Sequence, residues 1–161
     1  AALLLVPARG GSAASGGSAR WRLPVAVLGI AAVAASAASI GRQYVASRYA
    51  ASGTAQIAQS PKEAIRTLRT AAHLDPYSTS TLYSLAAAYA RLDDYARAQT
   101  ALALAAKREP HSYVPPALLG DLAMRRGDTQ QALADYRRAA ALNPLDPLLV
   151  QSELNAQGAA K

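Results

Sequence analysis

The chain has 161 residues, 52% hydrophobic and 17% charged, with a formal net charge of +7 and no cysteine. That length holds one small domain with an appendage, and the composition excludes a disordered polyelectrolyte and a disulfide scaffold. Without cysteine there is no thiolate nucleophile or zinc-finger ligand set, and 41 alanines with no phenylalanine leave an all-β sandwich nearly excluded in favour of closely packed helices.

Residues 1–6 (AALLLV) contain no initiator methionine, and the only methionine is Met124. They read as the end of a preceding membrane helix if the chain is a fragment. Residues 7–20 are rich in Gly, Ala and Ser and are expected to form a flexible loop. From Leu23 to Ile40 no charge occurs, while Arg20, Arg22 and Arg42 bracket the run and Trp21 stands at its edge. A transmembrane helix over residues 21–41 is the preferred reading. The alternatives are a buried Ala-rich helix, or a signal peptide with Ala35-Ser36-Ala37 as its small-residue cleavage site. Three arginines precede the run (Arg9, Arg20, Arg22) and two follow it (Arg42, Arg48), which favours a repeat domain on the extracytoplasmic face.

The charge is unevenly spread. Residues 1–60 hold five arginines and no acidic residue, contributing +5, whereas residues 61–161 hold twelve basic and ten acidic residues, contributing +2. A nucleic-acid binder clusters its cations beside stacking aromatics on a folded face, so no nucleic-acid partner is expected.

The rest of the chain repeats at an offset of 34 residues. Pro76, Pro110 and Pro144 fall in one column, Ala64, Ala98 and Ala132 in another, and Ala71, Ala105 and Ala139 in a third. Leu68, Leu102 and Tyr136 join them, as do Leu85 with Leu119, Ala86 with Gly120, and Asp94 with Asp128. Ser60-Pro61-Lys62-Glu63 reads as a capping box, Ser78 or Thr79 as the next helix cap, and Asp94 and Asp128 as caps of second helices. Leu145 to Ala156 is expected to form a capping helix that covers the last repeat with Leu148, Leu149 and Leu154. Residues 157–161 are expected to fray.

These columns resemble the tetratricopeptide repeat, whose period is 34 and whose pattern runs Leu-Gly-x-x-Tyr, Ala, aromatic, Ala, Pro. Leu85, Ala86, Tyr89, Ala98, Leu102, Ala105 and Pro110 carry it in the second copy. Leu119, Gly120, Ala132, Tyr136, Ala139 and Pro144 carry it in the third. The first copy has Ala51 and Ser52 at the Leu-Gly positions and matches better in its second helix. The implied fold is all-α: one transmembrane helix, an α-solenoid of about three helix pairs over residues 45–144, and a capping helix.

The resemblance implies a concave groove lined by the first helix of each repeat, and it carries the groove positions to Tyr49, Gln56, Ser80, Tyr83, Ala87, Arg91, Ala117, Asp121 and Arg125. Tyr83 with Arg91 and Arg125 suits an extended peptide of some acidic character. Chaperone-tail clamps of the family use asparagine and lysine where this chain has Gly53, Ala87 and Asp121, which disfavours that ligand class. His73 and His111 make no metal spacing, and no phosphate-binding or nucleophile-elbow motif occurs. No catalytic residue, cofactor or metal is expected.

Two functions follow. The first is a membrane-tethered scaffold that binds a partner protein or peptide in its groove. The second is the tail of a larger enzyme, since the order of membrane helix, juxtamembrane arginines and tyrosines, and repeats resembles the C-terminus of bacterial O-antigen ligase-like proteins. That family transfers lipid-linked glycans in a membrane domain absent from these residues. Both place the chain at a bacterial cell membrane.

Overall fold

A computed structural model describes the backbone of residues 19–159 and the side chains of residues 35–159. The expectations for residues 1–6 and for most of the loop at 7–20 lie outside the described residues. Among the described residues there are seven helices and no strand. They are α1 (Ala19–Gln56), α2 (Pro61–Leu74), α3 (Thr79–Ala90), α4 (Tyr95–Arg108), α5 (Val114–Arg125), α6 (Thr129–Leu142) and α7 (Pro147–Ala159). The chain divides after Ile40, and everything from Gly41 onward is one compact unit.

The boundaries follow local chemistry. Asp94 accepts a hydrogen bond from the Arg97 amide and Asp128 one from the Gln131 amide, each 3.2 Å, so both side chains satisfy an amide that the helix leaves free. Ser78 caps α3 through the Thr81 amide. Ser60 departs from the expected capping box: its hydroxyl makes no cap bond, and Glu63 pairs with Arg66 at 3.1 Å. Pro61 still fixes the first turn of α2, where a missing N–H costs least. Asp93 and Gly127, 34 residues apart, are the described residues with positive φ, and they reverse the chain between α3 and α4 and between α5 and α6.

Each helix from α2 onward packs on the next, giving an antiparallel stack. The core is made of the repeat columns: Ala64, Leu68, Ala71, Ala98, Leu102, Ala105, Ala132 and Ala139 are each 2% exposed or less. Alanine at these columns lets helices cross closely, and the crossings are closest where glycine stands. A Cβ built on Gly120 would lie 2.7 Å from Tyr136 Cε1, and one on Gly53 would lie 2.7 Å from Leu68 Cγ. Tyr89 locks α2, α3 and α4 together. Its hydroxyl accepts from Arg69 Nη2 at 2.9 Å, and the guanidinium carbons of Arg69 and Arg97 stand 6.0 and 5.9 Å from its ring centre.

At the C-terminal end, Leu149 and Ala156 are buried against the stack, whereas Leu148 is 75% and Leu154 55% exposed. Positions 149 and 156 are seven apart and share a face, from which neighbouring Leu148 is rotated by about 100°. Leu148 and Leu154 therefore do not cover the last repeat as expected. Residues 157–159, expected to fray, are helical.

The membrane placement is corrected. Among the described residues no helix is long and apolar enough to cross a membrane. α1 is helical across residues 21–41, but its side chains through Ala34 lie outside the described residues. Beyond them α1 carries Ser36, Ser39, Arg42, Gln43, Ser47 and Arg48, and its later turns pack Ala46 and Gly53 into the repeat unit. With no membrane-crossing helix among the described residues, the assignments to a bacterial cell membrane and to its extracytoplasmic side are withdrawn.

Candidate functional site

The first helices of successive repeats, α3 and α5, present a cavity of about 180 Å³ between them. Its back is Leu102 of α4 and Leu122 of α5, its α3 wall is Ala86, Ala87 and Ala90, and Leu118 stands opposite. Three alanines on one wall leave room there that larger side chains would take up. Ile57, just past the end of α1, lines it as well.

Polar groups at the cavity are held in place by neighbours outside it. The Tyr83 hydroxyl donates to Glu109 Oε2 at 2.6 Å, and Thr79 donates to the other oxygen of the same carboxylate. Burial, with this bond, pushes the Tyr83 phenol up to about 12. The bond from Thr79, then that from Tyr83, holds the Glu109 carboxyl below its ordinary value. On the other wall Asp121 Oδ1 accepts from the Tyr136 hydroxyl at 2.7 Å, and burial with that bond raises the Tyr136 phenol well above its ordinary range. Arg91 is anchored by Nη2 to the Ala58 carbonyl at 3.2 Å. The ion pairs among the described residues are Arg66–Glu63, Arg97–Asp94 and Arg137–Glu153, so neither Arg91 nor Arg125 is committed to a carboxylate.

Of the positions expected from sequence, the structure brings together Tyr83, Ala87, Arg91, Asp121 and Arg125. Ser80 lines a different, more polar cleft of about 340 Å³ with Gln43, Ser47, Asp75, Ser78 and Thr81, where Ser78 is bonded to both Ser80 and Thr81. Ala117 and Tyr49 line neither cavity. Gln56 turns toward α2 and accepts from Thr67 Oγ1 at 3.3 Å.

The first copy fails for a reason of register. Gly53 and Leu68 meet fifteen residues apart, whereas Gly120 and Tyr136 meet at sixteen. The α1–α2 turn contains no left-handed residue, unlike the turns at Asp93 and Gly127, and the chain reverses one residue sooner. The column that holds Ala90 is therefore filled by Ile57 rather than Gln56. The 34-residue period itself aligns Ile57 with Arg91 and Arg125, a signal that would have found it.

Residues 79–112 and 117–144 match the family model of the tetratricopeptide repeat. With the helix pairs just described, these residues carry tetratricopeptide repeats arranged as an all-α solenoid. The first such domain of the protein Spaghetti (RPAP3), solved bound to the HSP90 peptide SRMEEVD, is similar at 22% identity and a TM-score of 0.65, with 73% of this chain and 94% of that one covered. The Arabidopsis OM64 domain is similar at 17% identity and 0.65, covering 73% and 98%. The Yersinia enterocolitica secretion chaperone SycD, solved with a peptide of the translocator YopD, follows at 14% identity and 0.60, covering 70% and 87%. A search of curated proteins gives no match. The layout resembling O-antigen ligase-like membrane proteins has no support in these comparisons.

Proposed function

We propose that this chain is an interaction module that holds a segment of a partner protein in the groove between α3 and α5. The observation that carries the reading is the apolar cavity on the first-helix face, walled by Ala86, Ala87 and Ala90 and rimmed by fixed polar groups. Such a concave, largely apolar site with a few oriented polar atoms suits recognition of a side chain from outside the chain. The similar domains from RPAP3 and SycD, solved with peptides, support the same use of the fold.

The test is site-resolved photocrosslinking in the source cells, with a benzophenone amino acid at position 117, outside the cavity but four residues before Asp121 and so on the same face of α5, or at position 66, an exposed site on α2. Partner adducts from position 117 that vanish when Ala90→Leu fills the cavity are expected. Absence of adducts at 117, or equal adducts at both positions, would overturn the proposal.

A further inference from the structure

Resting on that reading, we infer that the segment held in the groove carries an aliphatic side chain, seated in the cavity, next to one or more carboxylates that reach Arg91 and Arg125. Three observations define this chemistry.

The cavity is apolar at its floor and along its α3 wall, and about 180 Å³ accommodates a single leucine- or methionine-sized side chain. Its polar lining is mostly spoken for. Tyr83 donates its hydroxyl to Glu109, and one oxygen of Asp121 accepts from Tyr136, so neither hydroxyl is a free donor for a ligand anion. What remains are the second oxygen of Asp121, an acceptor, and two guanidinium groups, which are the donors for a ligand anion and outnumber it in charge. Both side chains are exposed, and neither has a carboxylate partner among the described residues. Arg91 uses Nη2 on the Ala58 carbonyl, which fixes the head while leaving further N–H groups to donate.

Position along the helices supplies direction. Arg91 and Arg125 occupy the same column 34 residues apart, at the C-terminal ends of α3 and α5. Tyr83 lies eight residues earlier on α3, about 12 Å along the helix axis. The positive charge therefore sits at one end of the cavity. An apolar side chain in the cavity puts the ligand's neighbouring residues beside these arginines, where a carboxylate takes paired, charge-assisted hydrogen bonds. A ligand with lysine or arginine at that end would meet two like charges and be rejected.

The experiment selects a displayed library of random twelve-residue peptides on the immobilised full-length chain and measures the enriched peptides by fluorescence anisotropy. Expected are binders that pair an aliphatic residue with adjacent Asp or Glu. Their affinity should fall about tenfold or more for Arg91→Gln with Arg125→Gln, the usual weight of charge-assisted hydrogen bonds. It should also weaken as salt rises and be abolished by Ala90→Leu. Thermal unfolding checks that each variant stays folded, and Ala87→Leu serves as a second way to fill the cavity.

Groove binders, lost on Ala90→Leu or Ala87→Leu, that lack acidic residues and ignore the arginine changes would overturn the charge assignment while leaving the groove reading intact. Acidic binders that require no aliphatic residue would overturn the anchor. Enriched peptides indifferent to both cavity-filling variants, or no enrichment at all, would overturn this inference together with the proposed function.

Discussion

The pairs α3–α4 and α5–α6 make the same crossing with different side chains. In the first, Ala86 and Leu102 fill the two columns and belong to one core cluster. In the second, Gly120 lies against the ring of Tyr136. The larger knob requires the smaller hole, so the two columns vary as a pair while helix spacing is kept. The difference has a second effect. The Tyr136 ring carries a hydroxyl through the crossing to Asp121 on the groove side, a link that Leu102 has no atom to make.

The sharpest way to break this comparison is Gly120→Ala. Its new Cβ would lie 2.7 Å from an aromatic carbon, and a loss of about 2–3 kcal/mol is expected from overpacking. Combining it with Tyr136→Leu recreates the pair of the preceding repeat, and the double variant should be more stable than the sum of the singles predicts, by about 1 kcal/mol or more in urea unfolding. Strict additivity would show that the two columns are independent.

Ala98 and Ala132, both 0% exposed, test where the pairs are alike. Leucine at either should cost about 1–3 kcal/mol, whereas Arg97→Gln on the surface should stay within about 0.5 kcal/mol. Similar urea midpoints for all three variants would remove these alanines from the helix crossings.

The caps give a smaller contrast. Asp94→Ala and Asp128→Ala should each cost about 1 kcal/mol, while Ser60→Ala, which loses no cap bond, should cost a few tenths at most. Calorimetric melting of the three variants checks the order.

The smallest expected effect is one of pH. Glu109 is held below its ordinary value of 4.5 in the folded state by Thr79 and Tyr83. Its contribution is therefore present above that value and is lost as pH falls through the lower folded value. Tyr83→Phe removes one of the two donors and should flatten the loss of stability measured below pH 4.5. An unchanged acid limb would mean that the Tyr83–Glu109 bond does not form in solution.

The sequence by itself determined the helices from α2 to α6, the caps at Asp94 and Asp128, and the core columns, because these depend on neighbours within one turn or on a period that small residues must keep; the cap it left open between Ser78 and Thr79 is Ser78. Tyr83, Ala87, Arg91, Asp121 and Arg125, which it grouped on one face, line one cavity, since the second and third copies share a register. Only the tertiary structure decided the rest. The early reversal after α1 substituted Ile57 for Gln56 in the groove, because loop geometry changes register without changing the residues that mark the period. It decided that Ala156 joins the expected Leu149 against the last repeat while Leu148 and Leu154 stay exposed, since hydrophobicity does not say which face of a short helix touches its neighbour. It also overturned the membrane placement: among the described residues no helix is long and apolar enough to cross a membrane, since α1 runs on from the apolar stretch into Arg42, Gln43 and Arg48.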